Sequence, residues 1–203
     1  MTRRTWLSIL TATVLLPFFT LAAVKPGDPA PNFQAKDIFG KVHRLSDYKG
    51  KIIVLEAFNL GCPFCRNHYK TGAMQELQKQ FRAKGVVWLL IDSVHKGHPD
   101  YVTPKEAQKL WKKYRIQATA WLKDTDGAIG HAYGLRTTPH MIVIDKNGKI
   151  VYTGAIDDRP SARGDPRTAR NYVKEVVEAL LKGKPAPIHQ TRPYGCSVKY
   201  AKK

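Results

Sequence analysis

Residues 52–65 read IIVLEAFNLGCPFC, and this stretch decides the fold. Residues 52–58 are an almost continuous apolar run rich in β-branched side chains, which predicts a buried central strand. The next residues, Asn-Leu-Gly, are typical of a turn. Cys62 and Cys65 follow at once, and the proline between them suits the first turn of a helix. The sequence therefore predicts two cysteines at a strand-to-helix turn.

Strand and helix patterns alternate through the rest of the chain. A capping box at Thr103 and Glu106 opens one helix, and an Asn-Gly turn joins the last two strands in a hairpin. This order predicts an α/β domain with a central mixed β-sheet flanked by helices on both faces. The predicted strands are residues 52–58, 86–91, 118–122, 141–144 and 150–153, and the predicted helices are residues 66–84, 103–114, a short one ending at residue 134, and 165–181.

The N-terminal residues 1–23 have the plan of a secretory signal, with two arginines, a mostly apolar run and small residues at the end. The apolar run is shorter than the ~20 residues that a membrane-spanning helix needs. We expect residues 1–23 to be a signal peptide and residues 24–203 to be one domain, with a C-terminal tail at 184–203. The expected location is the periplasm, or the membrane surface if an uncleaved signal anchors the chain.

The charge and the cysteine count indicate which classes of function to expect. A net charge of +18 predicts a solvated surface, with weak association with anionic membranes as the alternative. The basic residues are spread along the chain without interleaved aromatics, so a nucleic-acid platform is not expected. Three cysteines are too few for a disulfide-stapled scaffold, and an odd number favours reactive thiols over structural ones.

The spacing of Cys62 and Cys65 predicts thiol–disulfide exchange. A thiol at a helix N-terminus has a lowered pKa, which makes Cys62 the attacking thiol, and Cys65 is near enough to resolve a mixed disulfide. The alternative is half of a zinc site, which needs a second Cys or His pair, and His95 and His98 are only a loose candidate. We expect no cofactor beyond a redox-active Cys62–Cys65 disulfide.

Glu56 interrupts the apolar strand six residues before Cys62. Strand alternation puts its side chain on the same side as Phe58 and Leu60, where it would lie under the disulfide. A buried carboxyl has a raised pKa and can accept the proton of Cys65 during exchange. The alternative is a solvent-facing residue on an edge strand.

Thr138 and Pro139 stand immediately before the strand at residues 141–144. Proline lacks a donor for the ladder of the sheet, so it suits the first residue of a strand or a cis peptide bond.

These motifs resemble the thioredoxin superfamily: a strand, CPFC at 62–65, a helix, and TTPH at 137–140 before a strand and hairpin. The segments GDPAPNF at 27–33 and DIFGKVHRLSDYKGK at 37–51 resemble the redoxin branch. That branch includes the alkyl hydroperoxide reductase/thiol-specific antioxidant proteins and the exported thioredoxins of cytochrome c maturation. The tail motif GCSVK at 195–199 is similar to that of exported peroxiredoxin-like proteins.

The resemblance implies a thioredoxin-like fold and a thiol–disulfide oxidoreductase. Its partners would be a protein bearing a disulfide or thiol and a thiol protein that donates or accepts electrons. By the resemblance Pro139 is a cis-proline facing the cysteines, and Thr138 offers backbone groups to a substrate strand. We also expect Pro63 and Phe64, between the two cysteines, to bind substrate. Glu56 falls on the buried acid position of thioredoxin.

Peroxidase activity is the first alternative, with Cys62 as the peroxidatic thiol and Cys65 or Cys196 as the resolving thiol. Peroxiredoxins have Thr or Ser three residues before that cysteine and Pro four residues further back, whereas Asn59 and Leu55 stand there in this chain. The hydroxyl that would align a peroxide is therefore missing, although Arg136 could supply a cationic group.

Cys196 is assigned to the catalytic residues, and its role has several readings. It could resolve a disulfide at Cys62 or Cys65, form an intermolecular bridge, or be a spare thiol on a disordered tail. The tail motif favours participation in the chemistry.

A different class of function is a copper chaperone, in which Cys62, Cys65 and His140 would be the ligands, because soft thiolates and imidazole suit copper.

Overall fold

The computed structural model describes residues 24–202. The predicted signal peptide at 1–23 lies outside the described residues, and it remains a prediction. The strands are β1 (Gln34–Lys36), β2 (Val42–Arg44), β3 (Ile53–Ala57), β4 (Val87–Asp92), β5 (Ala120–Lys123), β6 (Thr137–Thr138), β7 (Met141–Ile144), β8 (Ile150–Gly154) and β9 (Cys196–Ser197). The helices are α1 (Pro63–Lys70), α2 (Ala73–Arg82), α3 (Pro104–Lys113), α4 (Ala128–Ala132) and α5 (Tyr172–Leu181), with 3-10 turns at Leu45–Tyr48 and Pro166–Thr168.

A five-stranded sheet in the order β5-β4-β3-β7-β8 forms the centre of the molecule. β3 pairs in parallel with β4 and antiparallel with β7, so the sheet is mixed, as predicted. β4 and β5 are parallel, and β7 and β8 form the predicted hairpin. Every residue of β3 is buried, which confirms that the apolar run is a central strand.

Alternation along β3 supplies side chains to two apolar clusters, one on each face of the sheet. Val54 and Phe58 pack in the cluster that includes side chains of α1, α2, α3 and α5. Ile53, Leu55 and Ala57 pack in the opposite cluster, to which α4 contributes. Helices therefore cover both faces, as the sequence predicts. Within residues 24–202, no helix combines the length and the apolar character that crossing a membrane requires.

Two helices differ from their predicted bounds. The helix predicted at residues 66–84 is divided into α1 and α2 at Gly72, which has a left-handed φ of +83°. The apolar periodicity continues across this break, so the pattern alone does not reveal it. The helix predicted at 165–181 begins only at Tyr172, because Asn171 caps it by accepting from the Lys174 backbone N–H at 2.8 Å.

The C-terminal tail, residues 184–202, is docked on the domain. It first runs beside β8, where the Thr191 N–H donates to the Thr153 carbonyl at 3.1 Å. It then reaches β6, against which β9 pairs antiparallel. The sequence analysis did not predict either of these two short strands, because a pairing of two residues has no periodicity to detect.

Substituting Gly72 tests the break between α1 and α2. Gly72→Ala should lower the free energy of unfolding by about 1 kcal/mol, because a side chain is unfavourable at left-handed φ. Gly72→Asn should lose less, since asparagine tolerates this conformation better. Urea unfolding monitored by circular dichroism measures both values. Equal stability of Gly72→Ala and wild type would contradict the assigned backbone conformation.

Candidate active site

Cys62 lies where β3 and its following turn meet the first turn of α1. It is the N-cap residue of the helix, and Pro63 occupies the first helical position, where the missing N–H costs nothing. The Cys62 Sγ lies 2.9 Å from the Thr138 carbonyl oxygen, to which the thiol form can donate. Only 1% of Cys62 is exposed, so its sulfur is covered by other parts of the chain.

The surroundings of Cys62 favour its thiolate. The pKa of Cys62 is lowered from 9.0 to about 4, first because the Cys65 side chain donates a hydrogen bond to its sulfur. Further hydrogen bonds from the Thr138 side chain, the Cys65 backbone and the Cys196 side chain act in the same direction, while burial opposes them. The position of Cys62 at the N-terminus of α1 also favours a negative charge on its sulfur. A thiolate favoured in this way is suited to act as a nucleophile.

Cys65 has the opposite character. Its side chain is fully buried, with Sγ 4.0 Å from the Ala57 carbonyl oxygen at the end of β3. Burial raises its pKa well above the ordinary value, and the hydrogen bond and negative charge of Cys62 and the charge of Glu56 raise it further. The two sulfurs therefore differ in protonation, so Cys65 must lose a proton before it can attack.

Glu56 is fully buried on the face of β3 that the sequence analysis assigns to it. Its carboxylate accepts hydrogen bonds from Trp88 Nε1 at 2.8 Å and Tyr69 OH at 2.9 Å, and Gln78 Nε2 lies 3.5 Å away. Burial raises the pKa of Glu56 to about 7, although these hydrogen bonds act to lower it. Because its charge also affects the pKa of Cys65, the carboxyl and the thiol are electrostatically coupled.

The sequence analysis missed the three side chains that surround Glu56. Trp88 comes from β4, Tyr69 from α1 and Gln78 from α2, and the last two are also joined by a hydrogen bond of 2.9 Å. Gln78 offered one signal, since it is a polar residue on the buried face of an amphipathic helix. The other two look like ordinary core aromatics in the sequence.

Thr138 and Pro139 face the cysteines from the other side. The peptide bond between them is cis, as the family resemblance implies. Thr138 lies in β6 and its carbonyl contacts Cys62. Of the other residues predicted to bind substrate, Pro63 is exposed, and the Phe64 ring lies 5.8 Å from the ring of Tyr194 in the tail.

Cys196 is the third thiol of the site. It pairs with Thr138 between β9 and β6, and its side chain shares a hydrogen bond with Cys62. Burial raises the pKa of Cys196 to about 11, and the hydrogen bond and charge of Cys62 act in the same direction. The structure thus brings Cys196 to Cys62 on a docked strand, and all three cysteines are free thiols.

The residues on which the peroxidase alternative depends are Asn59, Leu55 and Arg136. Asn59 donates from Nδ2 to Asp100 Oδ2 at 2.8 Å and accepts from the Gly61 N–H at 2.7 Å, so its amide is engaged. Leu55 is buried in the core, and Arg136 is exposed.

His140, the predicted copper ligand, is also engaged. Its Nδ1 accepts from the Arg136 N–H at 3.2 Å, and its Nε2 lies 3.0 Å from the Thr153 hydroxyl. Across residues 24–202, no three His, Cys, Asp or Glu side chains are grouped so as to hold a metal ion.

Comparison with known proteins gives the family of the chain. The family model for AhpC/TSA matches residues 26–153. Thiol-disulfide oxidoreductase ResA of Geobacillus thermodenitrificans is 32% identical over 153 residues, which cover 74% of this chain and 82% of that protein.

Solved structures share the fold. A hypothetical protein from Sinorhizobium meliloti 1021 has a TM-score of 0.79 at 23% identity, covering 90% of this chain and 98% of that one. The thioredoxin domain of a thiol-disulfide oxidoreductase from Bacteroides vulgatus has a TM-score of 0.51 at 23% identity, covering 64% of this chain and 89% of that domain. The fold is therefore thioredoxin-like, as predicted.

The pKa of Cys62 can be measured from its rate of alkylation. In the reduced protein this rate should follow an inflection near pH 4, as expected for a thiolate stabilised by hydrogen bonds. Cys65→Ala removes the donor with the largest effect and should move the inflection upward most, whereas Cys196→Ala should move it less. An inflection near pH 9 in the wild type, or a larger shift in Cys196→Ala, would contradict this order.

The buried carboxyl of Glu56 should make stability depend on pH. Its pKa is about 7 in the folded protein against 4.5 for the exposed group, so the folded state holds this proton more tightly. The tighter proton binding by Glu56 therefore adds to the free energy of unfolding. This contribution is fully present below pH 4.5 and is lost as the pH rises through 7. At pH 8, Glu56→Gln should be more stable than wild type, by at most about 3 kcal/mol.

Denaturant unfolding at pH 4 and pH 8 measures this difference. Glu175→Gln is the matched control, because that carboxylate lies on the surface of α5 beside Arg170. The control should show no gain at pH 8. A Glu56→Gln variant that is destabilised equally at both pH values would show that the carboxyl is needed for packing alone.

Proposed function

The chain belongs to the AhpC/TSA family, and from this premise we propose that it is a periplasmic thiol–disulfide oxidoreductase acting through Cys62 and Cys65. Its substrates are proteins or small molecules that carry a disulfide. The observation that carries the proposal is the opposed protonation of the two thiols, with the pKa of Cys62 near 4 and that of Cys65 well above 9.

The first step is attack by the Cys62 thiolate on one sulfur of the substrate disulfide. A mixed disulfide forms between Cys62 and that sulfur, and the other substrate sulfur leaves as a thiolate. Cys65 stays protonated during this step, because burial and the charge of Cys62 disfavour its ionised form. The site therefore presents one nucleophile at a time.

The second step releases the substrate. Once Cys62 has lost its negative charge, Cys65 gives up its proton and attacks the Cys62 sulfur, which expels the second substrate thiolate. The substrate disulfide has then gained two electrons, and the cysteine pair has lost them to become the Cys62–Cys65 disulfide. Glu56 is the proton acceptor in this proposal, since its carboxyl is buried beside the pair and has a pKa of about 7. With a dithiol partner the cycle runs in reverse.

The proposed location and partners rest on the chain as a whole. Two arginines, an apolar run and small residues within 1–23 support export to the periplasm. Turnover needs a second partner, a thiol protein that returns electrons to the pair or accepts them from it. The net charge of +18 supports weak association with an anionic membrane surface.

Trapping the mixed disulfide tests the two-step mechanism. Cys65→Ser in a Cys196→Ser background should accumulate an adduct between Cys62 and a disulfide-containing peptide, detected by mass spectrometry. The matched control is Cys62→Ser in the Cys196→Ser background. It should form no adduct, and it should reduce the peptide at least about a hundredfold more slowly than the protein with only Cys196→Ser. Adduct formation without Cys62 would refute the proposal.

The role of Glu56 has its own measurement. Glu56→Gln should form the mixed disulfide at the wild-type rate but release the peptide at least about tenfold more slowly at pH 7, because general base assistance is lost. Equal release rates across pH 6 to 8 would rule out Glu56 as the proton acceptor. If the reduced wild-type protein consumes hydrogen peroxide and Cys62→Ser does not, the result would instead favour a peroxidase.

A further inference from the structure

The tail occupies the edge of β6, a strand that contacts the Cys62 sulfur. β6 contains Thr138, whose carbonyl oxygen lies 2.9 Å from the Cys62 Sγ. A strand that pairs with β6 therefore lies beside the residue whose carbonyl contacts Cys62. In this chain that strand is β9, and the residue opposite Thr138 is Cys196. Residues directly opposite in an antiparallel pair have neighbouring side chains, so Cys196 lies beside Thr138, and its side chain also shares a hydrogen bond with Cys62.

The close approach of the tail requires a glycine before the cysteine. Gly195 has φ of +116°, and a Cβ built there would lie 2.1 Å from the Thr138 carbonyl oxygen. Any larger residue would force the two strands apart. The segment is therefore shaped to bring Cys196 against β6.

Contacts on both sides of Cys196 hold the tail in this register. Before it, Tyr194 packs against Phe64 and donates from its hydroxyl to Asp157 Oδ1. After it, the Val198 N–H donates to the Arg136 carbonyl at 3.0 Å. Tyr200 then donates to the Leu135 carbonyl at 2.8 Å.

The docked tail changes which sulfur an outside molecule can reach. Cys62 is 1% exposed and Cys65 is fully buried, whereas Cys196 is partly exposed. The tail lies across Cys62 and also contacts Phe64 and Thr138, two of the residues assigned to substrate binding. A substrate strand and the tail therefore need the same edge.

We propose that the tail is an internal substrate strand, and that Cys62 exchanges its disulfide between Cys65 and Cys196 within one chain. This inference rests on the proposed function, because it uses Cys62 as the exchanging sulfur. The tail competes with an external substrate for β6, and the Cys62–Cys196 disulfide closes the site.

The internal exchange is balanced without an added oxidant. It starts from the Cys62–Cys65 disulfide that substrate reduction leaves behind. Cys196 loses its proton and its thiolate attacks the Cys62 sulfur. The Cys62–Cys196 bond forms, the Cys62–Cys65 bond breaks, and Cys65 takes up a proton. The number of electrons in the three-cysteine cluster is unchanged.

Re-opening uses the electron-donor thiol of the proposed function. The donor attacks the partly exposed Cys196 sulfur and expels the Cys62 thiolate, which is the better leaving group because of its lower pKa. A second donor thiol then releases Cys196 as a thiol and forms the donor disulfide. The donor has lost two electrons, and the Cys62–Cys196 pair has gained them.

Disulfide mapping of the Cys65→Ser variant tests this proposal. With oxidised glutathione as the probe, we expect the main product to be a monomer with an intrachain Cys62–Cys196 disulfide. Cys65→Ser with Cys196→Ser should instead retain glutathione on Cys62. A Cys65→Ser protein that retains glutathione on Cys62, or that forms disulfide-linked dimers, would overturn the proposal. Failure of the double variant to form any adduct would overturn the proposed function instead.

Two glycine substitutions test whether the disulfide depends on docking of the tail or only on the presence of Cys196. In the Cys65→Ser background, Gly195→Ala should lower the yield of the intrachain disulfide at least tenfold, because the new methyl group meets β6. Gly183→Ala is the matched control, since Gly183 also has positive φ, at +69°, but its Cβ would meet nothing within 4 Å. Equal yields from the two variants would overturn the assigned register.

Alkylation of Cys62 gives a readout that does not require the disulfide. In the Cys196→Ser background, Gly195→Ala should accelerate the reaction of Cys62 with a bulky maleimide at least about tenfold over Gly183→Ala. Circular dichroism of both proteins confirms that they are folded. Unchanged rates would show that the tail does not cover Cys62 and would overturn the competition for β6.

Discussion

The hydrogen bond from the Cys65 side chain to the Cys62 sulfur sets the chemistry of the whole site. The same contact lowers the pKa of Cys62 and raises that of Cys65. The two residues are three positions apart at the start of α1, where Cys62 is the N-cap residue. In the proposed mechanism, this local geometry makes Cys62 the thiol that attacks and Cys65 the thiol that must first lose its proton.

A buried carboxyl beside this pair is unfavourable for folding, and the protein reduces the cost in two ways. Three donors from different elements surround Glu56, so its oxygen atoms are not left without partners. Its raised pKa also allows the group to become neutral near pH 7. A carboxyl that titrates near neutral pH next to a thiol that must lose a proton is suited to proton transfer, and this connects a cost in stability to the proposed function.

In the proposed internal exchange, Cys196 extends the chemistry beyond the pair of Cys62 and Cys65. β6 is only two residues long, yet its edge is where an extended segment can approach Cys62. In this chain the tail occupies that edge and brings its own cysteine with it. The geometry that would orient a substrate strand is thus already in use by the protein, which makes access to Cys62 depend on the position of the tail.

The sequence by itself determined the features that depend on neighbouring residues. The strand in residues 52–58, the helix start at the cysteines, the hairpin and the face on which Glu56 lies all follow from local patterns. The tertiary structure alone decided the break at Gly72, where the buried face continues without interruption, and the partners of Glu56. It also decided the position of Cys196, a thiol 131 residues beyond Cys65 in the chain, which meets Cys62 through the pairing of β9 with β6. Periodicity reports which side of an element is buried, but contacts between distant elements are set by how their surfaces pack.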